Sequence, residues 1–165
     1  MTFKDLRKKI ITIESPNQYL KWQTKNLNTV IATEQKFKIE LSGIPFNGSI
    51  DRIERTPTGD YDVIDFKTGS VYETKKSIKD NIQINIYALT TEKLYEKLPR
   101  NTSLFYLKKD KTITNKVKSV YVYNVRKTLE EKVNSILRED FKASPRYDIC
   151  RKCDYQVICD FKKVR

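Results

Sequence analysis

Gly48-Ser49-Ile50-Asp51-Arg52 and Val63-Ile64-Asp65-Phe66-Lys67-Thr68-Gly69 flank the segment Thr56-Pro57-Thr58-Gly59-Asp60, and the pairing of these two runs decides the fold. Pro at the first central position and Gly where a positive φ is wanted suit a short hairpin loop, so Phe46–Arg55 and Tyr61–Lys67 are expected to pair as strands. If the hairpin turns symmetrically about Thr58, Asp51 and Asp65 face each other with Cβ atoms roughly 4.5–5.5 Å apart. Two carboxylates so placed repel, which is a poor structural choice on a sheet. A divalent cation reverses the sign, because hard oxygen ligands suit Mg²⁺. Lys67 lies two residues beyond Asp65 and projects from the same face. The trio fits phosphodiester hydrolysis: a cation neutralises phosphate oxygens and acidifies a bound water, and the lysine positions that water or offsets transition-state charge. The bland alternative is a surface hairpin with scattered charges.

Upstream, Phe37, Ile39 and Leu41 alternate with Lys36, Lys38 and Glu40, the period of a half-buried strand. Ser15 and Pro16 suit an N-cap and first helical position. A helix from about Asn17 to Leu27 follows, with Tyr19, Leu20 and Trp22 as its apolar contacts. Downstream, Asn81-Ile82-Gln83-Ile84-Asn85-Ile86 alternates like a strand, but Ser77 to Leu98 contains no Gly or Pro. Ala88, Leu89, Glu92, Lys93, Leu94 and Glu96 favour one long helix there, ended before Pro99. Thr102–Lys108 and Val117–Tyr123 read as strands around a polar turn near Asp110 and Lys111. Leu129, Val133, Ile136 and Leu137 recur at i, i+4, i+7 and i+8, marking an amphipathic helix. The order is helix, three strands, helix, two strands, helix and a cysteine-bearing tail over 142–165. That predicts an α/β or α+β sandwich with a mixed sheet.

At 165 residues the chain is expected to form a single domain around one core. Thirty-three Lys and Arg against twenty-one Asp and Glu give a net charge of +12, which favours a polyanionic partner. A lysine-rich proteome would produce the same number. The chain contains no histidine, which excludes Ser-His and Cys-His nucleophiles and the common His-ligated zinc sites. No apolar run approaches the roughly 20 residues of a membrane helix, and Met1 to Lys9 lack the h-region of a secretory signal. A cytoplasmic protein without membrane association is expected. All three cysteines, Cys150, Cys153 and Cys159, lie near the C-terminal end, unlike a secreted disulfide scaffold. They stand close enough for a shared metal, the alternative being three unrelated buried thiols.

Ile50-Asp51-Arg52, then Val63 to Gly69, then Gln83 with Tyr87, resemble the PD-(D/E)XK nuclease superfamily in its RecB-type branch. That branch includes nuclease domains of helicase-nucleases, AddB-type proteins and CRISPR-associated nucleases. The resemblance covers approximately Glu34 to Cys159. It implies a restriction-endonuclease-like core, with Asp51, Asp65 and the backbone carbonyl of Phe66 as ligands for Mg²⁺ or Mn²⁺ and Lys67 as catalytic lysine. It further implies that Gln83 and Tyr87, one helical turn apart, contact the scissile strand, and that Glu34 is an accessory ligand. Taken alone, such a Gln and Tyr are packing residues and such a Glu is a solvated strand end. The tail resembles the end of an iron-sulfur site whose fourth cysteine lies far upstream. That cysteine is missing here, as is the histidine that the branch carries on an upstream helix. The two absences fit a short member or a fragment of a larger protein, in which the site works without that histidine or has reduced or absent activity, and whose thiolates bind zinc or an incomplete cluster or stay empty. The implied function is a metal-dependent deoxyribonuclease on single strands or DNA ends, in DNA repair or a helicase-nuclease setting, with exonuclease and endonuclease action both left open by the sequence. The alternatives are a catalytically silent DNA-binding or partner-docking module of such a complex, and a metal-thiolate structural module whose acidic hairpin is incidental.

Overall fold

The hairpin closes as its turn chemistry dictates. In the computed structural model, which describes residues 20, 22–24, 27–41, 43–69 and 73–163, Thr56 N–H donates to the Asp60 carbonyl at 2.8 Å and Gly59 N–H to the Thr56 carbonyl at 2.9 Å. Gly59 takes the positive φ of 79° that ends such a loop. The turn joins β2 (Ile44–Arg55) to β3 (Tyr61–Lys67). Their antiparallel register, Arg55↔Tyr61 through Arg52↔Ile64, is symmetric about Thr58 as expected.

β1 (Thr29–Leu41) pairs antiparallel with β2. It begins well before the expected alternation at Phe37, because Thr29, Val30, Ile31 and Thr33 are β-branched and extend readily. The sheet order is β1-β2-β3-β4-β5, with β4 (Asn101–Tyr106) parallel to β3 and β5 (Lys111–Lys116) antiparallel to β4. A parallel pair needs a crossover, and α1 (Ile82–Tyr95) supplies it. The long helix expected over Ser77–Leu98 is broken at Asn81, whose side chain accepts from Ile84 N–H and caps α1. A single 3-10 turn, Ile78–Asp80, precedes it. An Asn side chain that can satisfy a free helix donor starts a helix more readily than it continues one.

The expected strand Val117–Tyr123 is overturned. β5 lies earlier, and α2 starts at Ser119 and runs to Leu137. The buried positions Val122, Val125, Leu129 and Val133 are spaced for a helix, while Val120 and Tyr123 are exposed. β5 escaped notice because it is a polar edge strand, with Ile113 and Asn115 alone buried in it. The Leu129 and Val133 part of the expected apolar stripe is buried, whereas Ile136 and Leu137 are exposed. Leu20 and Trp22–Thr24 are helical, and the rest of the helix expected over Asn17–Leu27 lies outside the described residues up to Leu27, which is not helical.

Phe37, Ile50, Ile53 and Val63 of the sheet pack with Tyr87, Ala88 and Leu89 of α1 and with Val122, Val125 and Leu129 of α2. Each fully buried side chain of this size contributes roughly 1.5–3 kcal/mol. A separate cluster joins Ile64 and Phe105 to Trp22, whose ring stacks on Phe105 at 5.0 Å. The architecture is a restriction-endonuclease-like α/β fold, a mixed five-stranded sheet flanked by helices. Contacts divide the chain into two compact units, Met1–Glu130 and Glu131–Arg165; the second contains α3 (Tyr147–Cys150) and the cysteines. Among the described residues no helix is long and apolar enough to cross a membrane.

Candidate functional site

The ladder between β2 and β3 ends at Arg52↔Ile64, and one step further the same register sets Asp51 against Asp65. There Phe66 N–H donates to Asp51 Oδ2 at 2.8 Å, a side chain standing where a strand carbonyl would otherwise accept. Asp51 is half-buried and Asp65 is only 3% exposed. Lys67 Nζ lies 2.7 Å from Asp65 Oδ2 and donates to Gln83 Oε1 at 2.7 Å. Gln83 Nε2 in turn donates to the Tyr87 hydroxyl at 2.9 Å. One helical turn of α1 thus extends the hairpin's chemistry sideways. The structure connects Asp65, Lys67, Gln83 and Tyr87, with Asp51 beside them.

Burial pushes the Asp65 carboxyl above its ordinary value, against the hydrogen bond and charge of Lys67; the charge of Asp51 adds to the rise and Tyr87 opposes it. The Tyr87 hydroxyl is pushed up to about 12, first by burial, against the Gln83 hydrogen bond, and then by the charges of Asp65 and Asp51. It is therefore a neutral donor at physiological pH. Tyr87 is held from behind by an edge-to-face contact with Phe37, ring centroids 6.3 Å apart. Phe37 in turn lies against its cross-strand partner Gly48, where any Cβ would stand 2.5 Å from the ring.

The donor set fits a hard divalent cation. Asp51 and Asp65 stand beside one ammonium, which pairs with Asp65, so among the described residues the group carries surplus negative charge, and the candidate ligand atoms are oxygens. The main-chain oxygen of Phe66 is the third donor the sequence offers. Glu34 stands at an irregular point of β1 with φ 50°; its exposed carboxylate accepts from Ser49 Oγ at 3.5 Å. Among the described residues no three His, Cys, Asp or Glu side chains gather as a metal site. Cys150, Cys153 and Cys159 are free thiols, the first buried and the others half-buried, so the zinc or cluster expectation finds no support here.

Sequence reasoning missed a second carboxylate pair on the same hairpin. Glu54 and Asp62 are direct cross-strand partners, legible from the same count about Thr58. Arg52 pairs with Glu54 at 2.6 Å, Arg100 pairs with Asp62, and Asn28 Nδ2 bridges both carboxylates at 3.1 Å each. A sheet can hold opposed carboxylates for structural reasons, provided their charge is balanced; the expectation that it would not was too strong. Phe37 and Gly48 were also missed as supports of Tyr87, since a ring over a glycine needs the strand register to be known.

The sequence pattern of the PD-(D/E)XK nuclease superfamily matches residues 5–160. The Gene 69 protein of Mycobacterium phage L5 is 29% identical over 136 residues, which is 78% of this chain and 44% of that protein. The chain therefore spans less than half the length of this relative. The crystal structure of SSO0001 aligns over 81% of this chain and 62% of its own, at 20% identity and a TM-score of 0.49.

Proposed function

The chain belongs to the PD-(D/E)XK nuclease superfamily, which makes it a metal-dependent nuclease by family, and from that membership we propose a deoxyribonuclease using Mg²⁺ or Mn²⁺ on single strands or DNA ends. The observation that carries this reading is the group of Asp51, Asp65 and Lys67, with more negative than positive charge, joined through Gln83 to Tyr87. Asp51, Asp65 and the Phe66 carbonyl would hold the cation, which supplies Lewis acidity toward a phosphate oxygen and a water made acidic at neutral pH. The ammonium of Lys67 has three donors. Two are engaged by Asp65 and Gln83, and the third is left for a phosphate oxygen or the attacking water. Gln83 spends its oxygen on Lys67 and its nitrogen on Tyr87, so its amide is fixed and it holds the lysine in place. Tyr87, neutral, keeps its proton as a donor. Glu34 remains an accessory ligand only if it leaves Ser49.

The RecB-type branch belongs to this proposal, on the spacing of Gln83 and Tyr87 and the cysteine tail, and with that branch go a DNA repair or helicase-nuclease setting and a cytoplasmic location. A docking role within a larger assembly is favoured by one observation: Tyr155, Val157, Ile158 and Phe161 of the second unit are 66–85% exposed, more apolar surface than a short tail ordinarily shows to water. The test is a cleavage assay on single-stranded DNA with Mg²⁺ or Mn²⁺. Asp65→Ala and Lys67→Ala should each abolish cleavage while DNA binding persists; cutting by both variants would sink the assignment, and a parent chain that binds without cutting would favour the docking role.

A further inference from the structure

β5 is the outer strand of the sheet, and along it lies a basin of about 560 Å³ lined by Lys75, Lys79, Lys116, Lys118 and Tyr121. All four lysines are exposed, and among the described residues none forms an ion pair. Two carboxylates lie on the same segment, Glu73, which accepts from Ser77 and Asn81, and Asp80, which shares a smaller adjoining cavity with Lys79; four lysines outnumber them, and among the described residues neither is in an ion pair. Four like charges around one concavity repel unless an anion sits among them.

The lysines are placed by packing. Ile78, between Lys75 and Lys79, is 1% exposed and packs with Leu104, Tyr106 and Ile113, which pins that segment onto β4 and β5. Val117, between Lys116 and Lys118, is buried and donates its N–H to the Arg100 carbonyl at 3.0 Å. The segment holding Lys75 and Lys79 also joins the strand that ends at Lys67 to the helix that carries Gln83. In the ladder Phe66 pairs with Phe105 and Phe105 with Thr112, and Thr112 lines the basin. The basin therefore lies two strand spacings from β3, roughly 10 Å. Tyr121, half-buried at the basin, offers a ring on which a base can stack.

We propose that this lysine basin holds the phosphate backbone of the DNA strand flanking the cleavage site, which rests on the nuclease reading above. The test uses the full chain and a fluorescein-labelled single-stranded oligonucleotide, with binding followed by anisotropy across a salt series without divalent ions. A combined K75Q/K79Q/K116Q/K118Q variant should lose at least about tenfold in affinity at low salt and reduce the salt slope by up to about 2.8, at ~0.7 per contact. A control of equal charge, K36Q/K38Q/K127Q/K132Q, should bind like the parent. Unchanged binding by the basin variant overturns the proposal, as does an equal loss in the control, which would make the effect one of net charge. Cleavage by the parent with Mg²⁺ is read in parallel. A parent that binds through the basin without cutting upholds the basin and removes the nuclease reading.

Discussion

Asp51 with Asp65 and Glu54 with Asp62 occupy equivalent places about one turn, each pair summing symmetrically about Thr58, and yet they are built for opposite ends. Glu54 and Asp62 meet Arg52, Arg100 and the amide of Asn28, so two negative charges stand against two positive ones. The guanidinium of Arg52 also lies 5.3 Å from the centre of the Trp22 ring and donates to Gln23. Among the described residues, the cation that pairs with Asp65 is Lys67, whose side chain is one-third exposed, and no ion pair meets Asp51. What separates a structural carboxylate pair from a candidate metal site is the charge around it. On the proposed reading, the open pair is the one that would take a cation from outside.

The largest expected effect tests that division directly. Asp65→Ala or Lys67→Ala should lower kcat on the order of 10³-fold, several kcal/mol of transition-state stabilisation, at near-parental DNA affinity. Asp62→Ala should leave kcat within a few-fold once the folded fraction is corrected for. Rate measurements that reverse this order would break the comparison. Next comes stability: Arg52→Ala removes the counter-charge 2.6 Å from Glu54, which is fully buried, and should cost about 3–5 kcal/mol in denaturant unfolding. Asp51→Asn should cost far less. Equal losses would mean that both pairs are structural.

Much of this was legible in the sequence. The hairpin, its register and the approach of Asp51 to Asp65 followed from Pro57, Gly59 and a count about Thr58, because local turn chemistry fixes a two-strand register. Gln83 and Tyr87 were legible through the family resemblance and the i, i+4 spacing. β5 and the start of α2 were not, since an edge strand buries little and its polar sequence carries no period, while Val117 to Tyr123 alternates by accident. The positive φ of Glu34 and its bond to Ser49 were not legible either, because no local residue pattern announces a left-handed residue inside a strand.

A smaller effect tests whether the open pair depends on packing behind it. Gly48→Ala puts a methyl group into the Phe37 ring, an overpacking worth about 1–3 kcal/mol. The ring must move and Tyr87 loses its edge contact, so kcat should fall about tenfold in protein that remains folded at the assay temperature. A loss of stability with kcat intact would show that Tyr87 is held from the helix alone.

The smallest effect has the most informative sign. Without metal, burial raises the Asp65 carboxyl above 3.8, so the folded chain takes up a proton there more readily than the unfolded one. The contribution of this group to stability is therefore complete below 3.8 and is lost as the pH rises through the raised value. D65N cannot ionise and suffers no such loss. In chelator at neutral pH it should melt above the parent, and the gap should close as the pH is lowered toward 3.8. Added Mg²⁺ should then raise the parent, by about 2.7 kcal/mol at a hundredfold excess over Kd, and leave D65N unmoved. D62N should behave in the opposite way, melting below the parent at neutral pH, because it removes a charge that Arg100 and two asparagine amides already hold. Thermal melts in which both variants shift in one direction without metal would mean that the two pairs share a single electrostatic role, and that charge balance does not distinguish them.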